Sequence, residues 1–423
     1  MAAQDTATAP GGARPYQIIV WGATGYTGRL VCERLATEYQ GKCRWAMAGR
    51  NEGKLRAVRN DLEKIDARCK DVPLIIADAE DQASIDKMVA QTEVIIATAG
   101  PFALCGECIV DASVRMGTHY CDVTGETPWV RGIIRKYHDA AKDRGVNIVP
   151  FCGQDSVPSD IGAWFVVNHM KTKLGRKCAR VEGVITKLKA GLSGGTLKTI
   201  SLMVSKDSAV IADPYCLDPP ESRRGSDGPD QICPAYQKEL GVWTGPFLGG
   251  GFNTRVVRRS NALLGHVYGD DFKYTESWSQ GSWLKACMLT LLVMFVMSYF
   301  KSRFLQWLFG RWAPKPGEGP SREERSKGLW EFCMVGVTQE EAGAKPTIVK
   351  ATVGDPHDPY TSTAIMVVES ALCMSMEQDG LKKAGVMRGG VLTPATAMGP
   401  VLLDRLRNAG VTIALQEPGT EAQ

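Results

Sequence analysis

An α/β architecture, in which a parallel sheet is covered by helices and a second α+β domain follows, is what this sequence predicts. Three observations lead there. Short apolar runs alternate with amphipathic stretches from Tyr16 onward, which is the rhythm of βαβ units. Three glycines, Gly22, Gly25 and Gly28, directly follow the first apolar run. The chain has 423 residues, beyond the ~250–300 at which a single core usually stops growing, so two domains are expected.

Taken in order, Gln17–Trp21 reads as a strand and Thr27–Glu38 as its helix. Arg44–Ala48 with Glu52–Ile65, Leu74–Ala77 with Ser84–Ala90, and Val94–Thr98 with Glu107–Met116 repeat the unit. His119–Val123, Val130–Arg144, Val146–Phe151 and Ser159–Met170 carry it to six strands. Beyond about Lys171 the rhythm changes. Ala179–Leu188, Leu329–Thr338 and Thr347–Val353 suggest a mainly antiparallel second sheet, with helices at Leu197–Val210, Thr361–Met376 and Ala395–Asn408. Asp213–Pro234 and Ala313–Lys327, dense in Pro, Gly and charge, read as loops. The expected division is a disordered tail over 1–15, a dinucleotide-binding domain over 16–170 and an α+β substrate domain over 171–390. Residues 391–423 are expected to form a helix and tail returning to the first domain.

Composition narrows the function. A hydrophobic share of 44% and a charged share of 23% are ordinary for a globular protein, and a net charge of +4 is too small to imply nucleic acid. Thirteen singly scattered cysteines and a polar start predict an intracellular protein with free thiols. No histidine pair has helical metal spacing and no cysteine sets are paired, so no zinc site is expected. Cys105-Gly-Glu-Cys108 has redox spacing, but it follows the fourth strand and does not begin a thioredoxin-like unit.

The main chemical signal is Gly22-Ala-Thr24-Gly25-Tyr26-Thr27-Gly28, set between strand and helix. Gly22 permits the tight turn, Gly25 lets the backbone approach a pyrophosphate, and Gly28 lets helix and sheet pack closely: a Rossmann-type arrangement. A merely structural turn is the competing reading. A P-loop is excluded, because Arg29 and Leu30 stand where Lys and Ser/Thr would hold phosphate and magnesium. At the end of the second strand, where NAD enzymes place a carboxylate, the chain has Arg50 with Lys54 nearby. A guanidinium suits a ribose 2′-phosphate, so NADP(H) is the expected cofactor. Asp78, after the third strand, is expected at the adenine edge, and the Ala99-Gly100-Pro101 turn, after the fourth, near the nicotinamide.

Further segments resemble the saccharopine dehydrogenase-like oxidoreductases, including the trans-acting enoyl reductases and the lipid-droplet-associated eukaryotic members. The resemblance spans nearly the whole chain. It is carried by Val20–Gly28, Ala48–Arg50, Ala99–Phe102, Gly117–Glu126, Asp155–Asp160, Ser193–Thr196 and Gly390–Pro394. It implies an NADP-type Rossmann domain joined to an α+β domain, association with membranes or lipid droplets, and a role in lipid or glycolipid synthesis.

Tyr120, Asp122, Thr124 and Glu126 alternate along and beyond a strand and so share a face. Tyr120, His119 or Asp122 could supply the proton donor that hydride transfer requires. A hydrogen-bonded set that orders a loop is an equal reading of the same residues. Asp155 and Ser156 should lie at the active edge of the sheet, and Gly194, Gly195 and Thr196 form a polar loop able to approach substrate. Ser159 reads as a helix cap.

Ala286–Phe300 is an apolar run between Lys285 and Lys301; as a helix it spans only ~22 Å, short of the ~30 Å hydrocarbon core. The next turns mix Phe304, Trp307 and Trp312 with Arg303 and Arg311, a mixture suited to a lipid interface. A buried core helix or an oligomer contact is the alternative. The expected protein is an NADPH-dependent reductase acting on a small-molecule or lipid substrate at the cytosolic face of a membrane or lipid droplet, and a homodimer is compatible with this. Two other readings are an amino-acid dehydrogenase of the saccharopine type, using Arg255, Arg258 and Arg259 to bind carboxylates, and a non-catalytic NADP-sensing scaffold.

Overall fold

The computed structural model describes residues 14–191, 208–309, 318–340 and 345–417. The first half of the chain forms strands β1 (Tyr16–Trp21), β2 (Trp45–Gly49), β3 (Leu74–Ile76), β4 (Thr92–Ala97), β5 (His119–Asp122) and β6 (Asn147–Val149). Helices α1 (Tyr26–Arg34), α2 (Glu52–Glu63), α3 (Gln82–Val89), α4 (Phe102–Cys105), α5 (Glu107–Met116) and α6 (Thr127–Asp143) connect them. Every pairing is parallel, in the order β3-β2-β1-β4-β5-β6. Ile18, Ile19, Val20, Val94, Ile95 and Ile96 are fully buried. Helices cover both faces of a parallel sheet, so its central strands read as unbroken apolar runs.

Helix α7 (Val157–Lys173) leads to β7 (Cys178–Lys189), α8 (Ser208–Ala212), β8 (Ala235–Gln237), β9 (Val242–Gly245), α9 (Gly250–Leu263) and β10 (Lys273–Ser279). Two consecutive helices, α10 (Trp283–Lys301) and α11 (Arg303–Phe309), are followed by α12 (Arg322–Ser326), β11 (Leu329–Thr338) and β12 (Ile348–Asp355). The chain ends with α13 (Pro359–Met376), α14 (Gln378–Ala384), β13 (Gly390–Val391), α15 (Pro394–Asn408) and β14 (Thr412–Leu415). The second sheet runs β14-β12-β11-β7-β10-β9-β8. Its pairs are antiparallel except β7 with β10.

The structure departs from the sequence reading in three places. The first sheet has a seventh strand, β13, paired with β6. Helix α13, expected in the second domain, packs on α1, β1, β4 and β5, so the chain returns to the first sheet before residue 391. The final strand β14 then pairs with β12 in the second sheet. Most of the helix expected over Leu197–Val210 lies outside the described residues.

Candidate active site

The crevice starts where β1 ends. Gly22 adopts φ +84°, and the Gly25 N–H donates to its carbonyl at 2.9 Å. A Cβ on Gly28 would meet that carbonyl oxygen at 2.1 Å, so helix α1 can leave the turn this closely only with glycine there. A Cβ on Gly25 would meet only the Gly22 oxygen, at 3.3 Å, leaving its other side open. No side chain caps α1. Open space in front of an uncapped helix N-terminus, framed by Thr24, Tyr26 and Thr27, is a cradle fitted to a pyrophosphate.

Arg50 follows β2, is exposed, and forms no ion pair or hydrogen bond among the described residues. Burial raises the Cys105 thiol, the carboxylate and thiol neighbours add to this, and Arg50 opposes it. The guanidinium field therefore reaches the opposite wall of the crevice. Lys54 is exposed one turn into α2, where its N–H is taken by the Asn51 cap. These residues fit NADP(H): a free guanidinium lies on the β2 side of the glycine turn. Asp78 accepts the Glu80 N–H at 3.2 Å and so shapes the turn after β3. Across the crevice, a Cβ on Gly22 would meet the Ala99 nitrogen at 2.7 Å, which places the Ala99-Gly100-Pro101 turn against the glycine loop.

The expected catalytic set is not at this surface. Tyr120 and Asp122 are fully buried. The Tyr120 hydroxyl donates to Asp122 at 2.8 Å, and the other Asp122 oxygen accepts the N–H groups of Thr124 at 3.0 Å and Phe151 at 3.2 Å. Glu126 accepts the Phe102 and Ala103 N–H groups at 3.0 and 2.8 Å, capping α4 from below. The set orders the loops after β4, β5 and β6. His119 begins β5, so it lies at the sheet edge opposite the crevice, and its Nδ1 accepts the Asn147 N–H at 3.0 Å. Burial, helped by Arg388 and Arg14, lowers its pKa to about 4 and keeps it neutral. None of the three is placed as a proton donor.

Asp155 and Ser156 lie in the turn between β6 and α7, at the carboxyl edge of the first sheet. Ser156 is buried and donates to Asn253 at 2.8 Å. Asp155 is open to solvent and has no hydrogen-bond or ion-pair partner among the described residues. Surrounding protein nevertheless pushes its carboxyl up to about 6, with burial the sole cause. Gly194, Gly195 and Thr196 lie outside the described residues. Burial also raises the Cys105 and Cys108 thiols, away from the reactive thiolate.

The first turn of α13 closes this edge. Tyr360 stacks edge-on against Tyr26 at 5.2 Å, and Thr363 receives the Gln154 N–H at 3.1 Å. Just before it lies a pair the sequence reading missed: His357 Nδ1 is 2.5 Å from Asp355. Their side chains are 56% and 1% exposed. The Asp355-Pro-His357 spacing was the available signal. From the other side, the Tyr26 hydroxyl donates to the Pro320 carbonyl at 2.7 Å, so the residues just before α12 rest on the glycine loop.

The arginines required by the amino-acid reading are already occupied. Arg255, Arg258 and Arg259 are buried. Arg255 pairs with Asp230, Arg258 with Asp227 at 2.5 Å, and Arg259 donates to the Val391 carbonyl at 2.6 Å. They hold the 211–230 segment and β13 in place.

The family model described as the saccharopine dehydrogenase NADP binding domain matches residues 18–149. A trans-acting enoyl reductase of Mycobacterium ulcerans is 35% identical over 95% of this chain and 98% of its own. Its namesake in Mycobacterium tuberculosis is 34% identical over 95% and 97%. Among solved structures, saccharopine dehydrogenase (L-Glu forming) from Saccharomyces cerevisiae shares the fold at a TM-score of 0.54 and 12% identity, covering 95% of this chain and 99% of the other.

Proposed function

From the premise that this chain belongs to the saccharopine dehydrogenase-like oxidoreductases and uses NADP(H), we propose that it reduces the carbon–carbon double bond of an apolar enoyl substrate presented at a lipid surface, as a step in lipid or glycolipid metabolism. Full-length relatives named for enoyl reduction support the reaction. When bound, NADPH supplies the hydride. The protein's own part is to hold the 2′-phosphate at Arg50, seat the pyrophosphate against α1, and present the reacting carbon to the β4–β6 half of the edge.

The observation that carries the lipid reading is helix α10. Its length of 19 residues corresponds to ~28 Å, longer than the apolar run alone suggested. Only 17% of its apolar window is buried. Leu284, Met288, Leu291, Leu292, Met294 and Phe295 face solvent, as does Trp307 on α11. A stripe through Ala286 and Leu289 anchors the helix, with Leu289 against Gly245 of β9. Charge favours the same partner: no Asp or Glu occurs between Glu276 and Glu318, while Lys285, Lys301, Arg303, Arg311 and Lys315 do. That pattern suits an anionic leaflet.

A single crossing conflicts with topology. β10 precedes α10, β11 follows α11, and both flank β7 in one sheet, so both ends of the apolar segment are on the same side of any bilayer. The reading is therefore an interfacial helix on a cytosolic membrane or lipid-droplet surface. The test is NADPH oxidation by the full-length protein with enoyl lipids, polyketide-type thioesters and imino acids, with and without anionic vesicles. Turnover of enoyl substrates, raised by vesicles, is expected. Turnover of imino acids alone would refute the reaction, and vesicle-independent solubility with a discrete dimer would refute the lipid surface.

A further inference from the structure

We propose that Asp155 is the proton donor of the reaction, resting on the enoyl-reductase reading above. Three geometric facts lead to it. Arg50 stands after β2 and the pyrophosphate cradle after β1, so these residues would hold the cofactor with its nicotinamide half toward β4, β5 and β6. Asp155 follows β6, at that end. It lies beside the start of α13, since the neighbouring Gln154 N–H reaches Thr363.

The remaining acids of this edge are excluded by their partners. Tyr120 and Asp122 are buried and bonded to one another. The Ser156 hydroxyl donates its hydrogen bond to the Asn253 Oδ1. The Cys105 sulfur lies 3.3 Å from the carbonyl oxygens of both Ala99 and Pro101. His357 turns its Nδ1 to Asp355 and exposes the rest of its ring to bulk water. Asp155 alone among these combines an accessible carboxyl with no partner among the described residues. Its surroundings hold a larger fraction protonated near neutral pH than a free aspartate would have.

The step balances. As hydride adds to one alkene carbon the π bond breaks, and its electron pair, left on the neighbouring carbon, takes the Asp155 proton. The carboxyl O–H bond breaks as the new C–H bond forms. Water then returns a proton to the exposed carboxylate.

The experiment compares Asp155→Asn, Asp155→Glu and His357→Asn with the parent in the full-length protein. It measures NADPH affinity by calorimetry, turnover of an enoyl thioester, and the solvent deuterium isotope effect. Asp155→Asn should bind NADPH within about twofold of the parent and lose ~10²–10⁴-fold in turnover. Asp155→Glu should recover part of the rate, and the parent should show a solvent isotope effect and a rate that falls along the basic limb of its pH profile as Asp155 loses its proton. Turnover by Asp155→Asn within threefold of the parent overturns the assignment, as does a loss confined to His357→Asn or a loss of NADPH affinity equal to the loss of rate. A parent that reduces no enoyl compound defeats the function reading as well, so the two failures are distinct.

Discussion

Removing the Arg50 guanidinium by Arg50→Ala tests the cofactor site most directly. In the structure Arg50 is exposed and has no ion pair among the described residues, so a bound 2′-phosphate gains its attraction without breaking any of their contacts. Two unit charges ~4 Å apart attract by ~1 kcal/mol in water and ~4 kcal/mol at the effective dielectric of a protein surface. An exposed side chain belongs in the lower half of that range, ~1.5–2.5 kcal/mol after screening. That corresponds to a ~10- to ~60-fold weaker Kd for NADPH. NADH lacks the 2′-phosphate and should bind the variant and the parent within about twofold. Calorimetric titration with both coenzymes, at two salt concentrations, provides the measurement, and the salt dependence of NADPH binding should shrink in the variant. Equal weakening of both coenzymes would mean that Arg50 shapes the loop and does not read the phosphate. Unchanged NADPH affinity in a protein that still prefers NADPH would place the phosphate elsewhere.

Other consequences are as direct. Arg258→Met leaves Asp227 buried and unpaired, since the two side chains are 3% and 1% exposed; chemical denaturation should show a loss of ~3–5 kcal/mol, much of it regained by adding Asp227→Leu. A loss below ~1 kcal/mol would refute the tether. Leu291→Glu with Leu292→Glu alters exposed positions, so stability should change by no more than ~0.5 kcal/mol per site while flotation with anionic vesicles disappears; undiminished flotation would exclude this face. Burial raises Asp122 from 3.8 to about 7, so the folded state holds a proton that the unfolded chain releases near pH 4. Stability from this group is complete below the unfolded value and is lost as pH rises through about 7. The melting temperature of Asp122→Asn should therefore gain on that of the parent between pH 5 and pH 8, and a constant difference would show that Asp122 is not protonated in the fold.

Most of the first domain was readable because its information is local. Gly22, Gly25 and Gly28 each answer to a contact or turn within a few residues or to the adjacent strand, and Glu107–Met116 has the bounds its periodicity implied. His119 was misplaced for a different reason. Alternation along β5 tells which face a side chain takes, not which end of the strand meets the ligand, and His119 is at the far end. Tyr120 and Asp122 do share a face, but depth depends on α6, α13 and the β6 loop, which the strand pattern does not contain. Strand β13 has two residues, too few for any period. Helix α13 is apolar on all sides because it lies between the first sheet and α15, so its sequence does not say which sheet it covers. The arginines of α9 look like a substrate-binding row until their partners, Asp227 and Asp230, are brought in from a loop 25 to 31 residues away.

The return of α13 and β13 to the first sheet has a topological result. The backbone passes between the two sheets three times, at α7 to β7, at β12 to α13 and at α15 to β14. Severing the chain after α7 would strip β1, β4 and β5 of the helix that covers them, so the nucleotide-binding half is not separable as a fragment. With three covalent strings joining the sheets, any opening between them has to bend the chain at all three joints together.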